Sequence, residues 1–293
     1  MAQLSKDVFA SGERILSVED AVSAIVAVFS PVADVETVAL GDADGRVLAD
    51  DLIATLQLPP FTNSAVDGYA VRGDDLPSGE PRSFRIAGRL QAGNAVTSRP
   101  VAPGEAIRIF TGAPMPDGAD TVFMQEDVEV DDAGHVSLPP GQKRGANVRP
   151  AGEDIASGKV VVPAKRWLRP QDVAVAAAMG LTELKVRRRV KVAVFSNGDE
   201  LAEPGTVRKE TQLFDSNRIM LLAMLRRLGC SVTDLGIHHD DSAEIAAVLK
   251  SAARSHDLIL SSGGVSTGEG DYVKAAVESV GRLVFWRIAM KPG

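Results

Sequence analysis

The chain has 293 residues, 45% of them hydrophobic and 4% aromatic, with a formal net charge of −7. That length points to about two or three domains, and no apolar run is long enough to span a bilayer; the acidic balance argues against a general nucleic-acid binder, and so few aromatics leave little to stack on single strands. A single cysteine, Cys230, excludes an intramolecular disulfide and a multi-cysteine metal centre; it is expected to pack as a small apolar residue beside Gly229, in a reducing cytoplasm.

Met1 to Gly12 lacks the apolar core of a secretory signal. Ser17-Val-Glu-Asp then opens an amphipathic helix with Val18, Val22, Ile25 and Phe29 on one face, ending near Pro31. From about Thr62 to Arg149, short β-like runs alternate with turn signals such as Ala113-Pro-Met-Pro-Asp-Gly and Pro139-Pro-Gly, the pattern of a small β domain. Three segments there carry more polar detail than turns require. Leu58-Pro-Pro-Phe-Thr-Asn-Ser-Ala-Val-Asp-Gly-Tyr holds Asp67, which as an isolated Asp-Gly reads best as a turn carboxylate bonded to its own backbone. Arg108 to Asp120 sets Thr111-Gly112 at a strand end, where a hydroxyl and a free N–H could meet an anion; an ordinary proline turn explains it equally. Gly145 to Ile155 gathers Arg149, Glu153 and Asp154 around a glycine, and taken alone the segment reads best as a surface salt bridge. A second helix starts with proline in its first turn at Pro170, has an alanine-rich body from Val173 to Met179 and stops at Gly180. Helix, β insertion and helix together suggest an inserted domain.

The basic run Lys185 to Lys191 precedes a strand and reads as a solvated domain entry. Beyond it, periods alternate. Strands are expected at Val190–Phe195, Ser231–Leu235, Leu258–Leu260 and Leu283–Ala289. The helices expected between them are Asp215–Leu228, with Ile219, Leu222, Ala223 and Leu225 at helical spacing and a stop at Gly229, Ser242–Ala253 with Ser242 as N-cap, and Val273–Val280 closed by Gly281. This β-α-β order argues for a parallel sheet whose ligands bind beyond the carboxyl ends of its strands. Two loops fall there: Ser196-Asn197-Gly198-Asp199-Glu200, and the run from Ser261 to Asp271 with glycines at 263, 264, 268 and 270. Glycines let N–H groups turn toward an anion such as phosphate, and Ser261, Ser262, Ser266 and Thr267 add donors. Glu269 and Asp271 would repel a bare phosphate, so a divalent cation between them and the ligand fits best; a glycine-rich surface loop is the plain alternative.

Taken together, these segments resemble the molybdopterin molybdenumtransferases, the bacterial MoeA proteins and the gephyrin E domain. The resemblance runs in order through the 58–71 segment, Thr-Gly-Ala-Pro-x-Pro-x-Gly-Ala-Asp at 111–120, Ala-Gly-Glu-Asp at 151–154 and Gly-Asp-Glu-Leu at 198–201. It continues through Asp-Ser-Asn at 215–217 and Ser-Gly-Gly-Val-Ser-x-Gly at 262–268 to Met-Lys-Pro-Gly at 290–293. It implies a multidomain α/β fold. A parallel α/β sandwich domain, molybdopterin-binding-like, over 188–293 follows an elongated helical segment (1–61 and 150–187) that carries the small β domain at 62–149.

The resemblance also implies a Mg²⁺-dependent reaction in which adenylylated molybdopterin and molybdate give the molybdenum cofactor and AMP. By matching position, Asp67, Asp154, Asp240, Asp271 and Lys291 would be catalytic. Thr111, Asn197, Gly198, Glu200, Gly263, Gly264, Ser266 and Arg287 would bind substrate, and Asp271 with Glu200 would hold the metal. Family members are dimers, so Asp67, Thr111 and Asp154 would complete the partner subunit's site; the molybdopterin adenylyltransferase is a further possible partner. Three positions depart from the family's habit: Thr62 where aspartate is frequent, Asn197 where threonine or serine is usual, and Arg287 in place of lysine. The chain is expected to be truncated, since Gly293 falls inside the family's Lys-Pro-Gly-Lys-Pro segment and before its C-terminal β-barrel. Two alternatives remain: a non-catalytic pterin-binding or scaffold fragment, and the adenylyltransferase itself, against which the 58–71, 111–120 and 151–154 segments argue.

Overall fold

The computed structural model describes residues 16–93, 99–263 and 272–283. It divides into two compact units. The described residues of Met1–Val38, Gly45–Ala49 and Lys185–Gly293 make one, and those of Ala39–Asp44 and Asp50–Leu184 the other.

The second unit is built on a six-stranded sheet. Its spatial order is Thr121–Met124, Gly68–Val71, Glu105–Ile109, Arg82–Leu90, His135–Leu138 and Glu129–Val130. Pairing is antiparallel throughout except between Arg82–Leu90 and Glu105–Ile109, which run parallel with a bulge between Ile86 and Gly88. Alternation sends side chains to two faces, and both are buried. Tyr69, Val71, Phe84, Ala106, Phe123, Val136 and Leu138 form one cluster. Ala70, Leu90, Val101, Ile107, Ile109, Ala113 and Val122 form the other. The helix expected at Pro170 spans Pro170–Ala178, here α2, and ends at Gly180 with φ of +76°. Its Asp172 carboxylate takes the N–H of Arg169, closing the first turn.

In the first unit, α1 spans Val18–Val28, and the Ser17 hydroxyl caps it by accepting from the Asp20 N–H at 3.0 Å. The apolar stripe of Val18, Val22, Ile25 and Phe29 is solvent-facing: Val22 is 54% and Phe29 66% exposed, while Ala21 is buried. Among the described residues nothing covers that stripe. Three parallel strands follow, in the order Ser231–His238, Lys191–Asn197, Leu258–Ser262. They are covered by α3 (Asn217–Arg227), α4 (Ser242–Ala252) and α5 (Tyr272–Val280). Val192 and Val194 pack with Leu222 and Leu225 on one side, where Cys230 joins the edge of the cluster. Phe195 packs with Ile245, Val273 and Ala276 on the other.

One cap differs from expectation, and one helix turns a charge inward. The cap of α4 is Asp241, whose carboxylate accepts from the N–H groups of Ala243 and Glu244 at 2.8 Å, and Ser242 is the first helical residue. An ionised oxygen is the stronger acceptor for orphan donors at a helix start. On α3 the inward face is Arg218, Leu222 and Leu225, so Ile219 and Ala223 point outward. A guanidinium tolerates that interior because three carboxylates meet it. Asp215 accepts from Nε at 2.9 Å, Glu203 from Nη2 at 2.5 Å, and Asp234 from Nη1. This knot ties together α3, the Ser231–His238 strand and the 198–216 segment, in which Leu201–Ala202 pairs parallel with Leu213–Phe214. Residues 284–289 of the strand expected from 283 and most of the glycine loop lie outside the described residues.

Candidate active site

The carboxyl ends of the three parallel strands bring Asn197, His238 and Gly263 side by side, because the register pairs Asn197 with His238 and Ser196 with Ser262. Asn197 is only 4% exposed, and its amide nitrogen donates to Asp240 Oδ1 at 3.0 Å. Its amide oxygen, also buried, has no hydrogen-bond donor among the described residues. Gly263 approaches so closely that a Cβ there would lie 2.5 Å from the Asn197 carbonyl oxygen, and its φ of +106° likewise favours glycine. Gly198 N–H donates to the His238 carbonyl, and a Cβ on Gly198 would strike the Glu200 carboxylate at 2.5 Å. Asn197, Gly198, Glu200, Asp240 and Gly263 therefore gather at one strand-end crevice. Gly264, Ser266, Asp271, Arg287 and Lys291 lie outside the described residues.

Histidines also face this edge, unnoticed in the sequence because nothing local marks them. His239 Nδ1 sits 2.7 Å from Asp199, and that contact raises the imidazole above its ordinary value. His238 Nδ1 is 2.8 Å from Glu244. Behind them, burial pushes the Asp215 carboxyl up, but its bonds to the Arg218 side chain and N–H outweigh this and leave it below the usual carboxylate range. Beside the two imidazoles, Asn197, Glu200 and Asp240 offer carboxylate and amide oxygens, the ligand type that hard cations take. Among the described residues no group of three His, Cys, Asp or Glu side chains could hold a metal ion.

The β-rich unit holds a second polar cluster. Asp67 is not bonded to its own turn; Oδ1 accepts from the Thr111 N–H at 2.8 Å and the Thr111 hydroxyl at 2.7 Å, across 44 residues of sequence. The Thr111 N–H, then its hydroxyl, hold the Asp67 carboxyl below its ordinary value. Arg108 adjoins them, donating to the Gly68 carbonyl at 3.0 Å and lying over the rings of Tyr69 and Phe110; Arg89 lies over Phe110 as well. Arg149 donates to both Asp154 oxygens at 2.7 Å and to Glu153 at 2.7 Å. The two groups flank one strand, Asn63–Ser64. Ser64 N–H donates to Ala113, Gly112 N–H to Ser64, Arg149 pairs with Asn63, and the Thr62 hydroxyl accepts from Ala151 N–H. Asp67, Thr111 and Asp154 thus belong to one unit, and Asn197, Glu200 and Asp240 to the other.

Residues 16–180 match the model of the MoeA N-terminal region (domain I and II), and residues 193–293 match a probable molybdopterin binding domain. The chain belongs to the MoeA family. Curated relatives include the molybdopterin molybdenumtransferase of Haemophilus influenzae, 40% identical over 87% of this chain and 62% of that protein. Molybdopterin molybdenumtransferase 2 of Mycobacterium tuberculosis is 40% identical over 88% and 65%. A crystal structure of the molybdopterin biosynthesis MoeA protein of Pyrococcus horikoshii aligns with a TM-score of 0.79 at 30% identity, covering 96% of this chain and 70% of that one. The α/β fold is therefore that of MoeA structures. This MoeA-family chain spans under two thirds of the length of those curated relatives, 62% and 65%.

Proposed function

We propose that this protein acts in molybdenum cofactor biosynthesis, inserting molybdate into adenylylated molybdopterin with release of AMP. The observation that carries this reading is the strand-end crevice, where a glycine-lined backbone meets Asn197, Glu200 and Asp240 within the residues matching the molybdopterin binding domain. The relatives' name, molybdopterin molybdenumtransferase, supports the same chemistry.

In this reading Gly198, Gly263, Gly264 and Ser266 receive the pterin phosphate region and molybdate. Arg287 and Lys291 offset negative charge as the anhydride opens. Glu200 and Asp271 would hold Mg²⁺, which supplies charge neutralisation at the phosphates when bound. Asp240 orients Asn197. Asp67, Thr111 and Asp154 complete the site of the partner subunit in a homodimer, and the uncovered stripe of α1 is consistent with such an association. The domain division read from the sequence (1–61 with 150–187, 62–149, and 188–293), a cytoplasmic setting and contact with the molybdopterin adenylyltransferase belong to the same proposal.

The test is AMP release from adenylylated molybdopterin in the presence of molybdate and Mg²⁺, by the 293-residue chain and, alongside it, by the full-length Haemophilus influenzae relative. Asp271→Asn is expected to abolish release while leaving the thermal transition in place. Turnover equal to wild type in that variant refutes the assignment of Asp271; pterin binding by the 293-residue chain without any AMP release favours a binding module instead.

A further inference from the structure

The orientation of the Asn197 amide is fixed by what stands beside it. An ionised carboxylate only accepts, so the amide atom 3.0 Å from Asp240 Oδ1 is the nitrogen, and Oδ1 of Asn197 is left as an acceptor. That oxygen is buried and meets no donor among the described residues. Leaving such an atom unpaired is costly, and native proteins rarely do so without a function. Gly263 lies against it: a Cβ there would come within 3.1 Å of Oδ1 and collide with the Asn197 carbonyl, so only a glycine lets the backbone approach this closely. Among the described residues, two further acceptors stand close by, the Asp240 carboxylate and the Asn197 carbonyl.

We infer that Asn197 is a specificity-determining residue that takes a hydrogen-bond donor from the ligand at this point and turns away an unprotonated oxyanion. The inference rests on the crevice being the substrate site. Phosphate or molybdate oxygens, which only accept, would face the Asn197 oxygen with no proton between them and so must sit elsewhere in the crevice. A ring N–H of the pterin or a water of a hydrated divalent cation meets the requirement; both present a polarised hydrogen. Asp240 is then a positioning residue here, because it decides which end of the amide the ligand meets.

Binding measurements on the 293-residue chain test this with three probes: unsubstituted pterin (2-amino-4-oxopteridine), Mg²⁺ alone and inorganic phosphate. Asn197→Ala is expected to weaken either pterin or Mg²⁺ by about tenfold, the effect of losing one buried hydrogen bond, and to leave phosphate within about twofold. Loss confined to pterin identifies a ring N–H as the donor, and loss confined to Mg²⁺ identifies a hydrated cation. In the wild-type chain, the Asn197 side-chain amide resonances should move with the donor probe and stay still with phosphate, a readout that needs no variant. Equal affinity of wild type and Asn197→Ala for all three probes overturns the inference. So does a phosphate loss as large as the donor loss, or amide resonances that respond to none of the probes. Failure of AMP release alone would count against the proposed reaction and leave these affinities to be read independently.

Discussion

The two units treat their polar groups in opposite ways. In the β-rich unit, Asp67 is closed by Thr111 and Asp154 by Arg149, so each acidic group already has its donors in the chain. In the α/β unit the strand ends hold a buried acceptor on Asn197 with no donor among the described residues, set above a charge knot at Arg218 whose five N–H bonds go to three carboxylates. The first arrangement is pre-organised and needs nothing further. The second is rigid below and incomplete above, the expected form for a surface whose last hydrogen bonds come from a ligand.

The sharpest way to break that contrast is to cut the knot. Arg218→Met removes the cation but leaves Asp215, whose side chain is 2% exposed, with a carboxylate in the interior. Asp234 and Glu203 are more than one third exposed and can return to water. Loss of one partner of a buried pair costs about 3–5 kcal/mol, so urea denaturation should show a drop of that order, with AMP release falling further as the 198–216 segment loses its anchor. A change below about 1 kcal/mol would mean that Asp215 rehydrates or takes a proton at little cost, and that the knot does not frame the crevice.

The sequence shows the frame far better than it shows this knot. Ser17 and Pro170 mark their helices because capping and first-turn proline are decided within a few residues, and Gly180 and Gly229 mark ends for the same reason. The α4 cap was assigned one residue late because Asp241 and Ser242 are both capping residues in adjacent positions. Arg218 interrupts an apolar pattern and reads as a surface residue until Glu203, Asp215 and Asp234 are seen to converge on it. Asp67 fails in the same way. A local Asp-Gly turn is the natural reading, and only the pairing of Gly68 with Ile109 across the sheet brings Thr111 to it. The buried, donor-less oxygen on Asn197 depends on three strand ends at once, which no single window of sequence contains.

A smaller effect is expected at the closed site. Thr111→Val keeps the N–H to Asp67 and removes the hydroxyl, so the Asp67 carboxyl should titrate higher than in wild type though still be held down by the N–H. The sign follows from linkage. A depressed carboxyl stabilises the fold above its unfolded value, about 3.9, and that contribution is lost as pH falls through the folded value. The variant should therefore be less stable than wild type at neutral pH and converge with it in acid. Carboxyl titration by NMR checks the shift. AMP release should fall by roughly tenfold, the weight of one hydrogen bond to a charged group. An unmoved Asp67 titration would show that the hydroxyl bond contributes nothing in solution.

The gentlest perturbation compares two helix caps. Asp241→Ala leaves the N–H groups of Ala243 and Glu244 without their acceptor, at a cost of about 1 kcal/mol. Because α4 carries Ile245 into the cluster with Phe195, Val273 and Ala276, that cost should appear in global unfolding of its unit. Ser17→Ala removes the equivalent bond from α1, whose Val22, Ile25 and Phe29 are exposed, so there the loss should appear as local fraying and faster amide exchange with little change in the main transition. If α1 is instead covered by a second copy of the chain, its cap loss becomes concentration-dependent, since a helix buried at an interface unfolds only with the assembly. Hydrogen exchange at two protein concentrations separates these outcomes.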